Sequence, residues 1–136
     1  MRRGLLDTNM LSYYLKGVPE VVERARRYLS LYGTLEFSVI TYYEIVRGLQ
    51  WANAHRKLKE FERFAEMCVI WDLNRTVAAE AARISAELRI KGVTIEDADI
   101  IIAATARLHS LVVVTHNLRH FGQIDHLQID DWMSAD

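Results

Sequence analysis

The sequence predicts a single α/β domain over residues 1–136, built as a three-layer α/β/α sandwich around a central parallel sheet. Short apolar runs alternate along the chain with longer segments of helical periodicity. The apolar runs are continuous rather than interrupted by polar residues, which is typical of strands buried on both faces. The chain has 136 residues, 51% of them hydrophobic, and shows no linker or internal repeat, which is consistent with one domain.

Five apolar runs, rich in β-branched and aromatic residues, are interpreted as the strands of the sheet. The predicted strands are residues 3–6, 37–40, 68–73 and 111–114, with residues 127–129 as a short fifth strand.

Six segments between these runs have the apolar spacing of helices. Pro19 is well placed to open one of them, and Gly92 to end another. Thr41 to Glu44 has the form of a capping box, and Thr94 to Asp97 has a weaker version of it. The predicted helices are residues 9–16, 19–31, 41–51, 55–66, 75–90 and 95–109.

Composition and charge exclude several classes of protein. The single cysteine, Cys68, cannot form an intramolecular disulfide, so we expect a cytoplasmic protein. Asp7 interrupts the apolar stretch that follows the basic start, so neither an export signal nor a membrane span is predicted. The net charge of −1 argues against a general polyanion binder.

The charges are nevertheless unevenly spread. Residues 1–64 contain eleven Lys/Arg and seven Asp/Glu, whereas residues 65–136 contain six and eleven. Two basic clusters lie in predicted helices, and each is either a solvated helix face or a surface that contacts phosphates. They are Arg24, Arg26 and Arg27, and Arg56, Lys57, Lys59 and Arg63.

Four oxygen-bearing side chains lie at corresponding ends of the predicted elements. Asp7 follows the first strand, and Asn117 follows the fourth by three residues. Glu44 lies in the first turn of the helix after strand two, and Asp99 near the start of the helix before strand four. Ligands of open α/β sheets bind beyond the carboxyl ends of the strands. We therefore expect these four side chains to converge there.

Each acidic residue also has a structural interpretation. Asp7 could cap the helix that follows it, and Glu44 could complete the capping box of Thr41. Asp99 is harder to explain in this way, because it precedes the apolar run from Ile100 to Ala104 and its helix must be largely buried. An ionised carboxylate in such a place is costly unless a cation or strong donors compensate it.

Taken together, the carboxylates predict a metal-dependent nuclease. Three neighbouring carboxylates repel one another unless a divalent cation neutralises them. A set of oxygen ligands favours Mg²⁺ or Mn²⁺ over zinc. His116 and His120 have the spacing of a zinc pair but lack the glutamate of that motif. A hard divalent cation is suited to phosphodiester hydrolysis.

The same residues resemble a known family, the PIN domains, and most of all the VapC-type toxins of bacterial and archaeal toxin–antitoxin pairs. The resemblance spans nearly the whole chain, because its motifs occur in the same order from start to end. These motifs are Leu5-Leu6-Asp7-Thr8-Asn9, Tyr43-Glu44-Ile45 with Gly48, Asp99 to Ala104, Thr115-His116-Asn117, and Phe121 with Asp131-Trp132.

The resemblance implies endonucleolytic cleavage of RNA in an acidic pocket that holds Mg²⁺ or Mn²⁺. By position, Asp7, Glu44 and Asp99 match the three acidic metal ligands of the family, and Asn117 matches its variable fourth catalytic position. The neutral Asn117 leaves open whether one or two metal ions bind, and Asp97 or Asp125 is a candidate to compensate.

Other residues receive roles from the same resemblance. Thr8 and Thr115 would place hydroxyls beside the pocket, bonded to a carboxylate or to a metal-bound water. Arg47, His116 and Arg119 are either contacts to the RNA backbone or solvated bystanders.

The resemblance also implies protein partners, namely a small cognate antitoxin and a second copy of the chain in a homodimer. Tyrosines in the early helices could form an interface, although core packing explains them as well. They are Tyr13, Tyr14, Tyr28, Tyr32, Tyr42 and Tyr43.

Two other functions stay open. One is a phosphatase or phosphotransferase in which Asp7 is the nucleophile, although Asn9 stands where such folds carry a second aspartate. The other is a non-catalytic module that binds RNA or protein. A buried acidic cluster without its metal would be destabilising in such a module.

Overall fold

The computed structural model describes residues 1–134, and within them a parallel sheet has the strand order β3-β2-β1-β4-β5. Residues 135–136, part of the predicted domain, lie outside the described residues. The strands are β1 Gly4–Leu6, β2 Glu36–Ser38, β3 Val69–Trp71, β4 Val112–Val114 and β5 Ile129–Asp130.

Helices cover both faces of this sheet. They are α1 Thr8–Leu15, α2 Pro19–Tyr32, α3 Val39–Trp51, α4 His55–Glu66, α5 Arg75–Lys91, α6 Asp97–Leu108 and α7 Leu118–Phe121. Successive strand residues point to opposite faces. Leu5 and Val113 accordingly pack with α5 and α6, whereas Leu6 and Val114 pack with α1 and α2. The predicted three-layer α/β/α sandwich is therefore confirmed.

The strand order reverses beside β1. The chain proceeds from β1 to β2 and β3 in one direction, and the later strands β4 and β5 lie on the other side. Leu6 is aligned with Phe37 of β2 and with Val114 of β4. The crevice at such a reversal, beyond the carboxyl ends of the strands, is where open α/β sheets bind ligands. Asp7 is the first residue beyond the end of β1.

The start of α3 differs from the sequence prediction. Val39 and Ile40 belong to α3 and not to β2, because the Ser38 hydroxyl accepts a hydrogen bond from the Ile40 amide at 3.1 Å and caps the helix. The predicted capping box at Thr41 is therefore wrong. The side chain of Thr41 is fully buried and bonds to Thr8 instead.

Three smaller differences concern the second half of the chain. Helix α6 begins at Asp97 with Glu96 as its cap residue, so the predicted capping box at Thr94 is also wrong. The sequence does not predict the short helix α7, and β5 starts two residues later and ends one residue later than expected. Within residues 1–134, no helix combines the length and apolar character needed to cross a membrane.

Candidate active site

Asp7 is held rigidly at the carboxyl end of β1. Its side chain is only 4% exposed, and its Oδ1 accepts a hydrogen bond from the Met10 amide at 2.8 Å, which caps α1. Its Oδ2 accepts a hydrogen bond from the Thr115 hydroxyl at 2.6 Å. Burial raises the pKa of Asp7 above its usual value, although both hydrogen bonds act in the opposite direction. Asp7 is thus a helix cap and a member of the candidate site at once.

A chain of hydroxyls fixes Glu44 on α3. The Thr8 hydroxyl donates to Glu44 Oε1 at 2.6 Å. Because that donation uses the only hydroxyl hydrogen of Thr8, the 3.0 Å contact between the two threonine hydroxyls is a bond donated by Thr41. Arg47 lies 3.9 Å from Glu44 Oε2, which is too far for a hydrogen bond. Glu44 therefore keeps one carboxylate oxygen without a close donor in the described chain.

Asp99 is the least compensated of these acids. It lies in the first turn of α6, half-buried, and within residues 1–134 its carboxylate has no hydrogen bond and no ion pair. Burial and the charges of Asp7, Glu44 and Glu96 raise its pKa to about 6. A carboxylate in this environment either takes up a proton or attracts a cation.

Asn117 follows β4 and begins α7. Its backbone amide donates a hydrogen bond to the Thr115 hydroxyl at 2.9 Å. The side-chain Nδ2 of Asn117 lies 2.9 Å from Nδ1 of the His120 ring. The side-chain Oδ1 of Asn117 accepts a long hydrogen bond from the backbone amide of His120 at 3.4 Å. Thr115 therefore links Asn117 to Asp7, and His120 holds the side chain of Asn117.

These elements enclose an acidic pocket of about 130 Å³ at the switch point of the sheet. The predicted convergence of Asp7, Glu44, Asp99 and Asn117 is confirmed, while their catalytic and metal-binding roles stay predictions. The residues that line the pocket are Asp7, Thr8, Asn9, Glu44, Glu96, Asp99 and Asn117. A larger hollow of about 460 Å³ between α5 and α6 has no carboxylate in its lining.

Two lining residues were missed in the sequence. Glu96 precedes Asp99 by three residues, a spacing that places both on one face of a helix start. Asn9 lies two residues after Asp7, at the beginning of α1. The spacing of Glu96 from Asp99 is a usable signal in the sequence. The capping-box interpretation of Thr94 to Asp97 instead drew attention to Asp97.

Other candidates lie outside the pocket lining. Asp97 is exposed, and Asp125 forms an exposed ion pair with Lys91 at 2.9 Å, so neither lies in the pocket lining to compensate for the neutral Asn117. The prediction that Thr8 and Thr115 bond carboxylates beside the pocket is confirmed.

The two histidines near Asn117 do not act as a pair. His116 Nδ1 lies 2.9 Å from Asp131, whereas His120 contacts Asn117. Each ring thus has its own neighbour.

The pocket offers oxygen ligands only, which suits a hard divalent cation. In the part of the chain that the structure describes, however, no group of three or more His, Cys, Asp or Glu side chains is arranged to hold an ion directly. These two findings agree for Mg²⁺, because Mg²⁺ keeps several waters and is usually bound by one or two carboxylates. The residues therefore fit a partly hydrated ion.

Comparison with known proteins agrees with this architecture. The sequence model of a family described as "PIN domain" matches residues 4–127, and the chain belongs to that family. Within it, the chain is similar to VapC ribonucleases. It is 35% identical to the "tRNA(fMet)-specific endonuclease VapC" of Salmonella typhimurium, over 97% of this chain and 99% of that protein. It is 33% identical to "Ribonuclease VapC2" of Haemophilus influenzae, over 98% of this chain and 100% of that protein.

The fold is also similar to solved structures. The DNA-bound VapBC of Salmonella typhimurium contains a chain that superimposes with a TM-score of 0.86 and 34% identity, covering 97% of this chain and 99% of that one. The agreement over nearly the full length of both chains shows that the sheet, the covering helices and their connections form a PIN-domain fold.

Proposed function

We propose that this chain is a divalent-metal-dependent endoribonuclease and the toxin of a type II toxin–antitoxin pair. The observation that carries the proposal is the acidic pocket, in which four carboxylates line about 130 Å³ without a hydrogen-bonded cation in the described chain. Asp7 is buried and Glu44 and Asp99 are partly buried, so this excess of negative charge favours the binding of an external cation. The similarity to a tRNA-specific endonuclease and to a ribonuclease supports RNA as the substrate.

One or two of Asp7, Glu44 and Asp99 would hold Mg²⁺ or Mn²⁺ directly and the rest through water, with Asn117 as a neutral neighbour. When bound, such an ion neutralises charge at a phosphodiester and makes a nearby water more acidic. Hydrogen bonds within the chain hold two of these carboxylates in position. Thr115 and the Met10 amide fix Asp7, and the Thr8 hydroxyl fixes one oxygen of Glu44. Asp99 keeps both oxygens free of protein donors within residues 1–134.

A protein partner is supported by the solved relatives, which were crystallised as VapBC complexes. We propose a cognate antitoxin, a homodimer and action in the cytoplasm. The tyrosines divide between core and surface. Tyr28 is buried against Trp132 and bonds to Gly4, whereas Tyr32 and Tyr43 are exposed.

The experiment is mapping of cleavage sites on total cellular RNA with Mg²⁺, Mn²⁺ or EDTA, for the parent and for Asp7→Asn and Asp99→Asn. We expect the parent to cut only with an added ion and both variants to lose at least about 100-fold in rate. The matched control is Asp97→Asn, because Asp97 is an exposed acid on the same helix turn outside the pocket lining. If both pocket variants cut as fast as the parent, the assignment is wrong.

The phosphatase alternative has a separate outcome. Both oxygens of Asp7 accept hydrogen bonds and its side chain is almost fully buried, which disfavours it as a nucleophile. Incubation with a phosphate monoester should therefore leave no acid-stable label on Asp7. A trapped label would favour the phosphatase, and binding of RNA without cleavage or label would favour the non-catalytic module.

A further inference from the structure

One face of α3 has an exposed stack of two aromatic rings and an arginine. Tyr43, Arg47 and Trp51 follow one another at intervals of four residues, so they share one side of the helix. The Arg47 guanidinium carbon is 5.1 Å from the Tyr43 ring centroid and 4.9 Å from that of Trp51. Both distances are within the range of a cation–π contact. We call these three residues the α3 ladder.

The α3 ladder has unused binding capacity. Trp51 is 76% exposed and Tyr43 is 53% exposed, so each presents an aromatic surface to solvent. The Nε of Arg47 is buried without a hydrogen-bond partner in the described chain, and its nearest carboxylate, Glu44, is 3.9 Å away. That buried nitrogen is out of reach of a ligand, but the Arg47 side chain is 37% exposed, so only its other guanidinium donors are available to one.

The α3 ladder begins beside the acidic pocket. Glu44, which lines the pocket, is the residue after Tyr43, and Trp51 lies roughly 10 Å farther along the helix at 1.5 Å per residue. Helix α4 starts four residues after Trp51. Its first turns present exposed Arg56, Lys57 and Lys59, which form no ion pair with any residue that the structure describes.

The surface next to the pocket is thus both aromatic and basic. Single-stranded nucleic acids bind to grooves that combine stacking rings with positive charge. A protein interface would be expected to contain few lysines, because lysine is depleted in such interfaces. The lysines at the start of α4 therefore favour a polyanion over a protein as the occupant of this surface.

We propose that the α3 ladder binds an unpaired segment of the RNA substrate beside the bond that is cut. One base stacks on Trp51, and Arg47 bonds a phosphate or a base edge of the same segment. The basic start of α4 attracts the neighbouring phosphates. This inference rests on the proposed function, because RNA is the ligand in both. It adds a requirement for single-stranded RNA and an anchor that does not depend on the metal ion.

The test measures binding of RNA in EDTA, where no metal-dependent cleavage occurs. The probe is a fluorescein-labelled single-stranded oligouridylate followed by anisotropy, with an RNA hairpin of the same length as a comparison. We expect Trp51→Ala to weaken binding of the single strand by about 5- to 100-fold, the range for loss of one stacked base. Trp51→Phe should restore most of the affinity, and the hairpin should respond little.

Two further variants refine the test. Arg47→Lys keeps the charge but loses the planar stacking group, so we expect a smaller loss than for Arg47→Gln. The matched control is Met67→Ala, because Met67 is also a large, highly exposed side chain but lies at the opposite end of α4. Its binding should equal that of the parent.

The proposal is overturned if the parent does not bind the oligouridylate in EDTA, or if Trp51→Ala binds it as tightly as the parent does. It is also overturned if Trp51→Ala changes only the mass of the chain in solution or its capture of the antitoxin, since the surface would then be a protein interface. Cleavage with Mg²⁺ is measured in parallel. A parent that binds through Trp51 but never cuts would refute the proposed function and leave the RNA surface standing.

Discussion

Two carboxylates at opposite ends of the sheet, the buried Glu36 and the half-buried Asp99, differ in the donors that surround them. Glu36 starts β2 and is only 2% exposed. Arg3 donates to both of its oxygens, at 2.6 and 2.9 Å, and the Trp71 indole donates at 3.0 Å. Asp99, at the carboxyl end of the sheet, has no such donor within residues 1–134.

The comparison indicates that the charge of Glu36 is neutralised within the fold, whereas the charge of Asp99 is available to a ligand. At the amino end, the chain supplies its own cation in a bidentate pair, which raises the pKa of Arg3. At the carboxyl end, the chain gathers acids whose mutual repulsion and burial raise the pKa values of Asp7 and Asp99. An unfavourable arrangement of this kind is typical of functional sites.

The largest effect, on the rate of cleavage, is expected at the carboxyl end of the sheet. Asp99→Asn removes the least compensated charge, so cleavage should fall by at least about 100-fold. The ion should also bind less well. Mg²⁺ or Mn²⁺ should raise the melting temperature of the parent, because a ligand that binds only the folded state stabilises it, and should raise that of the variant much less. Thermal unfolding with and without the ion measures this. An equal rise in both proteins would contradict a role for Asp99 in holding the ion.

The second effect is expected at the amino end of the sheet, where Arg3→Met removes the cation that is bonded to Glu36. Arg3→Met leaves Glu36 buried with only the Trp71 indole as a donor. Breaking a fully buried pair costs about 3–5 kcal/mol, but the Arg3 side chain is about half exposed, so we expect about 2 kcal/mol. Urea unfolding measures the loss. Arg26→Met is the control, because its pair with Glu23 is exposed on both sides and should contribute almost nothing. Equal stability of both variants would show that Glu36 does not need its cation.

The third effect concerns the hydrogen bond that holds Glu44 in the pocket. Thr8→Val removes the hydroxyl that donates to Glu44 and accepts from Thr41. We expect cleavage to fall by about tenfold or somewhat more, as for other partners that orient ligands. Thr8→Ser keeps the hydroxyl and should restore the rate. A loss of stability alone, with the rate at saturating substrate unchanged, would show that Thr8 only ties α1 to α3.

The sequence was most informative where topology alone decides the outcome. Asp7 and Asp99 are distant in the chain, but strand ends and helix starts of a parallel sheet share one edge, so their meeting was predictable. The cap of α3 was not, because Val39 and Ile40 are β-branched and are equally compatible with a strand. Only the hydroxyl of Ser38, bonded to the Ile40 amide, places them in the helix.

Other features depended on contacts that no local pattern specifies. Helix α7 has four residues, too few for a periodic signal, and is capped by Asn117, which had been assigned to the site alone. Asp125 was a reasonable candidate by charge, but its pairing with Lys91 requires the α5 terminus and the chain after α7 to be placed in space. Glu96, in contrast, is predictable from its spacing of three residues from Asp99, which places both on one face of the helix start.

The smallest effect is a gain in stability from the same change that is expected to abolish cleavage. Folding raises the pKa of Asp99 from 3.8 to about 6, so the folded state favours the protonated carboxyl. The contribution of this group to stability is therefore most favourable below pH 4 and is lost as the pH rises through about 6. The full shift would correspond to about 3 kcal/mol, but solvent screens this half-exposed group, and we expect about 1 kcal/mol.

Asp99→Asn cannot ionise, so in EDTA it should be more stable than the parent by about this amount at pH 8 and no more stable at pH 4. Urea unfolding at both pH values measures the difference. Asp97→Asn, at an exposed position of the same helix turn, should show no such pH-dependent gain. If Asp99→Asn were less stable than the parent at pH 8, the ionised carboxylate would have a favourable partner in the fold, and the contrast with Glu36 would disappear.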